Sequence, residues 1–512
     1  VNIADHAERA PDSPALIVAG GDTLSFSDLH ARSRRVAAVL HAAGLRRGDG
    51  VAVVLPNRPE FLEITWGCQL SGLYYTAVNT HFTPDEVAYV IDDSDARAVF
   101  VDSSMTGLAG HVRDANTGVD VRIAVGGSPP PGWCGYEAAL AAAGAAPPVS
   151  DGSEMLYSSG TTGRPKAVRR PLPADGNGSW AQAVLELALT HKYGMDAGSV
   201  YLSPAPLYHA AGVNYTMAVN RVGAASIIMG RFDAEAVLRL IDTHRVTHAQ
   251  FVPTMFVRML KLPRAVRDAY DVSSLRCVIH AAAPCPVDVK HRMMDWFGPI
   301  IHEYYGGTEG FAGTTIGPQE WLAHPGSVGR PMSPVHVVAE DGSELAPGGT
   351  GELYFEGGPA FEYFKDPAKT ASVANERGWR SLGDMGYVDA DGYLYLTDRS
   401  TFMIVSGGVN IYPQEVENIL VMHPKLVDAA VFGVPNDEFG EEVKAVVQPV
   451  DAAAAGPDLE AELIEYCRAR LAGYKCPRTV EFAPELPRDP NGKLYKRRIR
   501  ERYWQGRTSR IV

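Results

Sequence analysis

The stretch Tyr157-Ser158-Ser159-Gly160-Thr161-Thr162-Gly163-Arg164-Pro165-Lys166-Ala167-Val168 constrains this chain more than any other. Hydroxyls, two glycines and one lysine can converge backbone N–H groups, O–H groups and a cation on a chain of phosphates. It is not a Walker A loop, because Gly160 and Gly163 stand too close together and Ala follows Lys166. Thr-Gly and Arg-Pro are also ordinary turn punctuation, so taken alone the stretch leaves a phosphate cradle and a surface turn both open.

Around it the chain alternates helical and strand patterns. A helix from Phe26 through Leu40 precedes the apolar run Val51-Ala52-Val53-Val54-Leu55. A helix near Phe61 to Gly67 precedes an extended Tyr74 to Val78, and Thr83-Pro84-Asp85-Glu86 opens another helix before Ala98-Val99-Phe100-Val101. This rhythm predicts layered α/β structure with largely parallel strands. Residues 120–150, rich in Gly, Pro and Ala, read as a linker, and the segment from Arg169 to Ser199 as exposed and mobile, helical from about Trp180. Similar strand and helix patterns return over 220–300. Turn pairs such as Asp341-Gly342 and Gly357-Gly358 mark a small β-rich region from His324 to Arg380.

A chain of 512 residues, 46% of them apolar, is long enough for two or three domains. With 47 Lys and Arg against 60 Asp and Glu, its net charge of −13 argues against a general nucleic-acid surface and for small-molecule partners. The six cysteines form no zinc or disulfide spacing, nothing at the N-terminus reads as a signal peptide, and no apolar run approaches the roughly 18 to 20 residues that span a bilayer. A cytoplasmic location with reduced thiols is the expectation; peripheral membrane contact and a homodimer are left open.

Further motifs follow the first in a fixed order: Pro204-Ala205-Pro206-Leu207-Tyr208-His209, Tyr304-Tyr305-Gly306-Gly307-Thr308-Glu309, Gly351-Glu352-Leu353, Gly383-Asp384, Asp398-Arg399, Ser406-Gly407-Gly408 running to Glu417, and Pro487 through Gly492-Lys493. Together they resemble the adenylate-forming superfamily of acyl-CoA synthetases, aryl-CoA ligases, luciferases and peptide-synthetase adenylation domains, from about Ala4 to Arg498. The resemblance implies a large N-terminal AMP-binding domain over 1–398, a hinge at 399–402 turning on Thr401, and a small mobile α+β domain over 403–512 that carries Lys493. Many members have a charged residue where Thr401 stands.

The same resemblance distributes roles. ATP would be held by Ser158, Ser159, Gly160, Thr161, Thr162, Gly163 and Lys166 at its β- and γ-phosphates. Ala282, Ala283, Tyr304, Tyr305 and Gly306 would lie along the adenine, with Tyr305 as the stacking ring, and Asp384 and Arg399 at the ribose. Thr308 would bond the α-phosphate and Glu309 would hold Mg²⁺, a hard cation that prefers oxygen ligands. Lys493 would bind the carboxylate and α-phosphate. Ser406, Gly407 and Gly408 would admit coenzyme A. Tyr208, His209, Val213, Gly306, Gly307 and Phe311 would line the acyl pocket, with His209 at the boundary of the thiol tunnel in preference to a purely structural role. Pro56-Asn57 reads as a plain strand-to-helix turn.

Expected, then, is conversion of a carboxylic acid and ATP to acyl-AMP and pyrophosphate, followed by transfer to CoA. The resemblance also disfavours an α-amino acid: peptide-synthetase adenylation domains carry an Asp just after the equivalent aromatic position to hold the ammonium, and Ala210-Ala211-Gly212-Val213-Asn214 has no carboxylate there. The Gly306-Gly307 pair reads as room beside the pocket that permits a bulky or long acid, and the mostly small or apolar candidate pocket residues favour a medium- or long-chain fatty acid, with aryl and steroid-side-chain acids next. Loading of a carrier-protein thiol and a catalytically inactive nucleotide-binding regulator are the alternatives. The Lys493 segment also matches a pattern acetylated in related synthetases.

Overall fold

The computed structural model describes residues 2–158, 165–172, 180–399, 402–406, 409–436, 438–488 and 494–505. The chain forms two compact units, Val1–Gln250 with Tyr270–Val278 and Pro359–Ser372, and Phe251–Ala269 with Ile279–Gly358 and Val373–Val512.

In the first unit an eight-stranded sheet runs in the order Glu362–Tyr363, Lys166–Arg169, Ser153–Ser158, Tyr74–Ala77, Gly50–Val54, Ala96–Asp102, Val121–Val125, Cys134–Gly135. From Ser153–Ser158 onward neighbouring strands are parallel. Gly50–Val54 is buried throughout, as a strand covered by helices on both faces must be. Between strands lie helices Phe26–Ala42, Pro59–Gln69 and Pro84–Asp93. Ser25 with Asp28, and Thr83 with Glu86, form reciprocal capping boxes that satisfy the first orphan N–H groups of two of them. A second sheet of the unit orders His248–Phe251, Val200–Ser203, Ala225–Ile228, Pro14–Val18 and Thr23–Ser25.

Two sequence expectations fail here. Residues 120–150 are not a linker: Val121–Val125 and Cys134–Gly135 extend the sheet, and Tyr136–Ala141 is a helix. Ile123, Ala124 and Val125 are buried, and the Tyr136 hydroxyl donates 2.7 Å to buried Glu63. The flanking Gly/Pro run obscured a strand whose apolar residues are few but all used. Nor is the described part of 169–199 merely exposed: helix Trp180–Leu187 passes into a wider turn, Ala188–Lys192, that buries Leu189, with Tyr193 and Met195 buried beyond it.

In the second unit Ile301–Gly306 pairs antiparallel with Gly313–Ile316, which pairs with Arg330–Pro331. The expected β-rich region is a four-stranded antiparallel sheet, Val335–Val338, Gly351–Phe355, Arg380–Val388 and Leu394–Arg399. Past residue 402 a five-stranded sheet, in which the hairpin of Leu426–Asn436 and Gly440–Pro449 is longest, packs Val431, Ala445 and Val447 against Val416 and Leu420 of helix Pro413–Leu420 and Leu463 of helix Pro457–Arg468. All six cysteines are free, and among the described residues no helix is long and apolar enough to cross a membrane.

Candidate active site

The second unit brings several expected residues together. Tyr304, Tyr305 and Gly306 end the strand Ile301–Gly306, in register with Thr315, Thr314 and Gly313, so residues 307–312 form the hairpin turn. Thr308 and Glu309 lie in that turn, closed by an N–H of Gly310 (φ +78°) donated 3.1 Å to Gly307. Glu309 is buried. The Tyr305 hydroxyl donates 2.7 Å to Oδ2 of Asp384, itself buried on strand Arg380–Val388 opposite Arg399. Side chains alternate along a strand, so Tyr305 and not Tyr304 takes the face toward Asp384. The residues expected at the base and at the ribose are thus hydrogen-bonded to each other, one turn from those expected at the α-phosphate and metal. Glu309 suits Mg²⁺ as a single oxygen donor, the usual arrangement where phosphates and water complete the shell.

Beneath this hairpin lies a cluster that the sequence reading missed. Glu303, two residues before Tyr305, accepts from Lys290 Nζ at 2.6 Å, and His280 Nε2 lies 3.3 Å from the same oxygen; all three are buried. The Lys290 ammonium also lies 4.6 Å from the centre of the Trp321 ring. Burial works against the Glu303 charge, but the neighbouring His280 and Lys290 outweigh it and bring its carboxyl down to about 2. Burial holds His280 below the ordinary imidazole range. The signal was present: Lys290 falls in phase with Met293 and Met294 on the buried face of helix Val287–Phe297. His280 ends a strand that opens into Ala281, Ala282 and Ala283, where Ala282 adopts φ +74°, a conformation uncommon outside glycine.

The glycine pair does not leave room. A Cβ on Gly307 would stand 2.6 Å from a Glu309 carboxylate oxygen and 2.9 Å from Leu382 methyls, and one on Gly306 3.0 Å from the Ala312 carbonyl. These glycines let protein pack on protein, and the expectation of an opening for a long acid is withdrawn. Phe311 is buried with the Arg380 guanidinium 4.7 Å from its ring centre.

In the first unit Ser158 pairs with Lys166 across antiparallel strands Ser153–Ser158 and Lys166–Arg169, so both stand at the base of the expected phosphate loop. The Ser158 side chain and Ser159, Gly160, Thr161, Thr162 and Gly163 lie outside the described residues. His209 sits at the N-cap of helix Ala210–Val222, its ring 4.8 Å from that of Tyr208, and Val213 is fully buried one turn on. Asn57 does more than turn the chain. Its amide donates to the carbonyls of Ala205 (3.0 Å) and Met229 (2.9 Å) and accepts from the Leu207 N–H (2.7 Å), setting the loop that leads to Tyr208 and His209.

Lys493, Thr401, Gly407, Gly408 and the Arg399 side chain also lie outside the described residues. Ser406 is half-buried at the end of strand Ile404–Ser406, opposite Val409 and Gly440. Arg488, shortly before Lys493, is held by both carboxylate oxygens of Asp428. His324, Asp389 and Asp391 form a metal-capable group elsewhere, but Asp389 already accepts the N–H groups of Asp391 and Tyr393 as the cap of a hairpin turn.

The AMP-binding enzyme family profile matches residues 3–362, and that of the AMP-binding enzyme C-terminal domain residues 415–493. A feruloyl-CoA synthase of Amycolatopsis sp is 34% identical over 94% of this chain and 95% of its own. The long-chain-fatty-acid–CoA ligase FadD13 of Mycobacterium tuberculosis is 30% identical, over 94% and 93%. The crystal structure of ATP-bound MatB from Rhodopseudomonas palustris, 30% identical, superposes over 99% of both chains with a TM-score of 0.81. With those motifs in order and that hairpin beside Asp384, the chain belongs to the AMP-binding enzymes of the adenylate-forming superfamily, of the acyl-CoA synthetase type.

Proposed function

We propose that this protein joins an aromatic carboxylic acid to coenzyme A at the expense of ATP, through an acyl-AMP intermediate. The observation that carries the adenylating half is the Tyr305–Asp384 hydrogen bond at the foot of the turn bearing Thr308 and Glu309. A carboxylate is a poor electrophile because oxide is its leaving group. Its attack on the α-phosphate expels pyrophosphate and creates an anhydride that a thiolate can open. Charge gathers on the α-phosphate oxygens during that attack, so positioned donors supply most of the acceleration. On this reading Tyr305 stacks on the base, Asp384 accepts the ribose hydroxyls, Thr308 donates to the α-phosphate, and Lys493 neutralises the attacking carboxylate and the phosphate. Mg²⁺, when bound at Glu309, supplies further charge neutralisation at the phosphates.

Two points favour an aromatic acid over the fatty acid first expected. The room that the glycine pair was read as leaving for a bulky or long acid is filled at Gly307 by Glu309 and Leu382. The feruloyl-CoA synthase also matches this chain at higher identity than the fatty-acid ligase does. Pyrophosphate release over a panel of hydroxycinnamic, arylacetic and fatty acids, each with ATP and Mg²⁺ and with or without CoA, tests the reading. Multiple turnovers with an aromatic acid only when CoA is present support it. Turnover confined to fatty acids returns the first expectation, and a single burst that CoA cannot extend points to a carrier-protein thiol as acceptor.

A further inference from the structure

Asn57 sits where strand Gly50–Val54 has ended and helix Pro59–Gln69 has not begun, at the carboxyl end of a parallel strand, where α/β folds place their ligands. The backbone on either side of it is fixed. Leu55 is fully buried, and the Arg58 guanidinium is held by Glu60 at 2.8 Å and Asp102 at 2.7 Å. A side chain carried on so firm a base sets the position of whatever it bonds.

What it bonds is the exits of two strands of the other sheet. Val200–Ser203 and Ala225–Ile228 run parallel with Ser203 opposite Ile228, so the residues that follow them leave the sheet side by side. The Asn57 amide donates to Ala205 at 3.0 Å on one exit and to Met229 at 2.9 Å on the other, and its oxygen accepts the Leu207 N–H at 2.7 Å. A short primary amide supplies two donors and an acceptor at once, which no carboxylate or hydroxyl of that reach does. Residues 204–208 are buried, and a buried loop needs partners for its backbone groups. Pro204 and Pro206 bring no N–H of their own to anchor it. Helix Ala210–Val222 packs so tightly on the loop that a Cβ on Gly212 would collide with the Pro206 carbonyl oxygen. The loop held in this way delivers Tyr208 and His209, whose ring centres lie 4.8 Å apart.

We infer that Asn57 is a positioning residue of the acid site: through residues 204–208 it fixes Tyr208 and His209 as a wall against which the acid is seated for attack on the α-phosphate. The inference rests on the acyl-CoA ligase reading above and extends it to a residue that acts through others. Removing the amide leaves three backbone groups to find new partners, and the two rings shift with the loop. A rigid aromatic acid cannot follow a displaced wall by turning its own bonds, as an alkyl chain does, so the loss falls hardest on aromatic acids.

The test compares wild type with Asn57→Ala and with Asn57→Asp, which keeps the volume and the acceptor for Leu207 but loses both donors. Asn220→Ala is the control, because Asn220 donates to the carbonyls of Ala15 and Ala224 at the other end of helix Ala210–Val222. Pyrophosphate release with para-hydroxycinnamic acid and with dodecanoic acid gives the KM of each acid and of ATP, and amide hydrogen exchange over residues 205–209 reads the loop directly. Both Asn57 variants should exchange faster there and show a KM for para-hydroxycinnamic acid raised about tenfold, with a smaller rise for dodecanoic acid and a KM for ATP within about twofold of wild type. Asn220→Ala should keep the wild-type KM for the acids whatever it loses in melting temperature. Unchanged exchange, an unchanged acid KM, or a rise shared equally by ATP overturns the proposal while leaving the ligase reading intact. If wild type turns over dodecanoic acid alone, the aromatic reading fails by itself, and the KM split with that acid decides the role of Asn57. A wild type that releases no pyrophosphate with any acid overturns the adenylating reading and this assignment with it.

Discussion

Tyr305 and Lys290 show how differently two polar contacts bear on function. The Tyr305 hydroxyl completes a 2.7 Å bond to Asp384 at the proposed nucleotide site. Tyr305→Phe keeps the ring and removes that bond, so the KM for ATP should rise roughly tenfold while thermal stability barely moves, by the usual size of a hydrogen bond to a charged group. Steady-state pyrophosphate release checks it. Lys290→Met instead leaves the Glu303 carboxylate buried without its cation, at a cost of about 3–5 kcal/mol, and adding Glu303→Gln should return much of that in urea unfolding. The same cluster predicts acid lability. Unfolded, His280 and Glu303 titrate near their ordinary 6.5 and 4.5; folded, both sit lower, Glu303 at about 2. The unfolded chain therefore binds more protons, and stability is lost as pH falls, from about 6.5 for His280 and from about 4.5 toward 2 for Glu303. Melting temperatures measured from pH 7.5 to 4 should fall, with the upper part of the slope flattened in His280→Phe.

At the scale of elements, the hairpin of Ile301–Gly306 and Gly313–Ile316 is the unit that positions chemistry, and its turn tolerates little change. Gly307→Ala places a Cβ 2.6 Å from the Glu309 carboxylate, so that side chain must move. Overpacking of this kind costs about 1–3 kcal/mol. The expected outcome is a several-fold higher Mg²⁺ requirement for pyrophosphate release with little change in the KM of the acid, read from Mg²⁺ titrations. Elements with strong local signals, such as helices Phe26–Ala42 and Pro84–Asp93 with their capping boxes, were legible before the structure. Val121–Val125 was not, because it is short and set in a Gly/Pro/Ala-rich stretch, and only its pairing with Ala96–Asp102 and Cys134–Gly135 makes it an inner sheet strand.

For the whole molecule, the proposed division of labour assigns Lys493 to the first half-reaction alone. Lys493→Ala should abolish acid-dependent pyrophosphate release, a loss of at least about a hundredfold for a cation at the reacting phosphate. Thioester formation from preformed acyl-AMP and CoA should stay within a few-fold of wild type, because the proposed assignment gives that step to the stretch Ser406-Gly407-Gly408 and not to Lys493. Equal loss of both activities would sink this assignment.

The proposed chemistry could be drawn from the chain alone because its candidate donors are clustered in short motifs: Tyr305, Thr308 and Glu309 fall within five residues, and Ser158 to Lys166 is one continuous stretch of sequence. Backbone geometry over so short a span follows from residue type. Contacts between distant segments are another matter. That Tyr305 meets Asp384, that Glu303 is neutralised by Lys290 and His280, and that Asn57 holds the loop before His209 all depend on separate segments of the chain being packed together. Spacing in sequence carries no record of those distances. Nor did it show whether Gly306 and Gly307 open a pocket or admit neighbouring atoms, since a missing Cβ serves either purpose until packing fills the space.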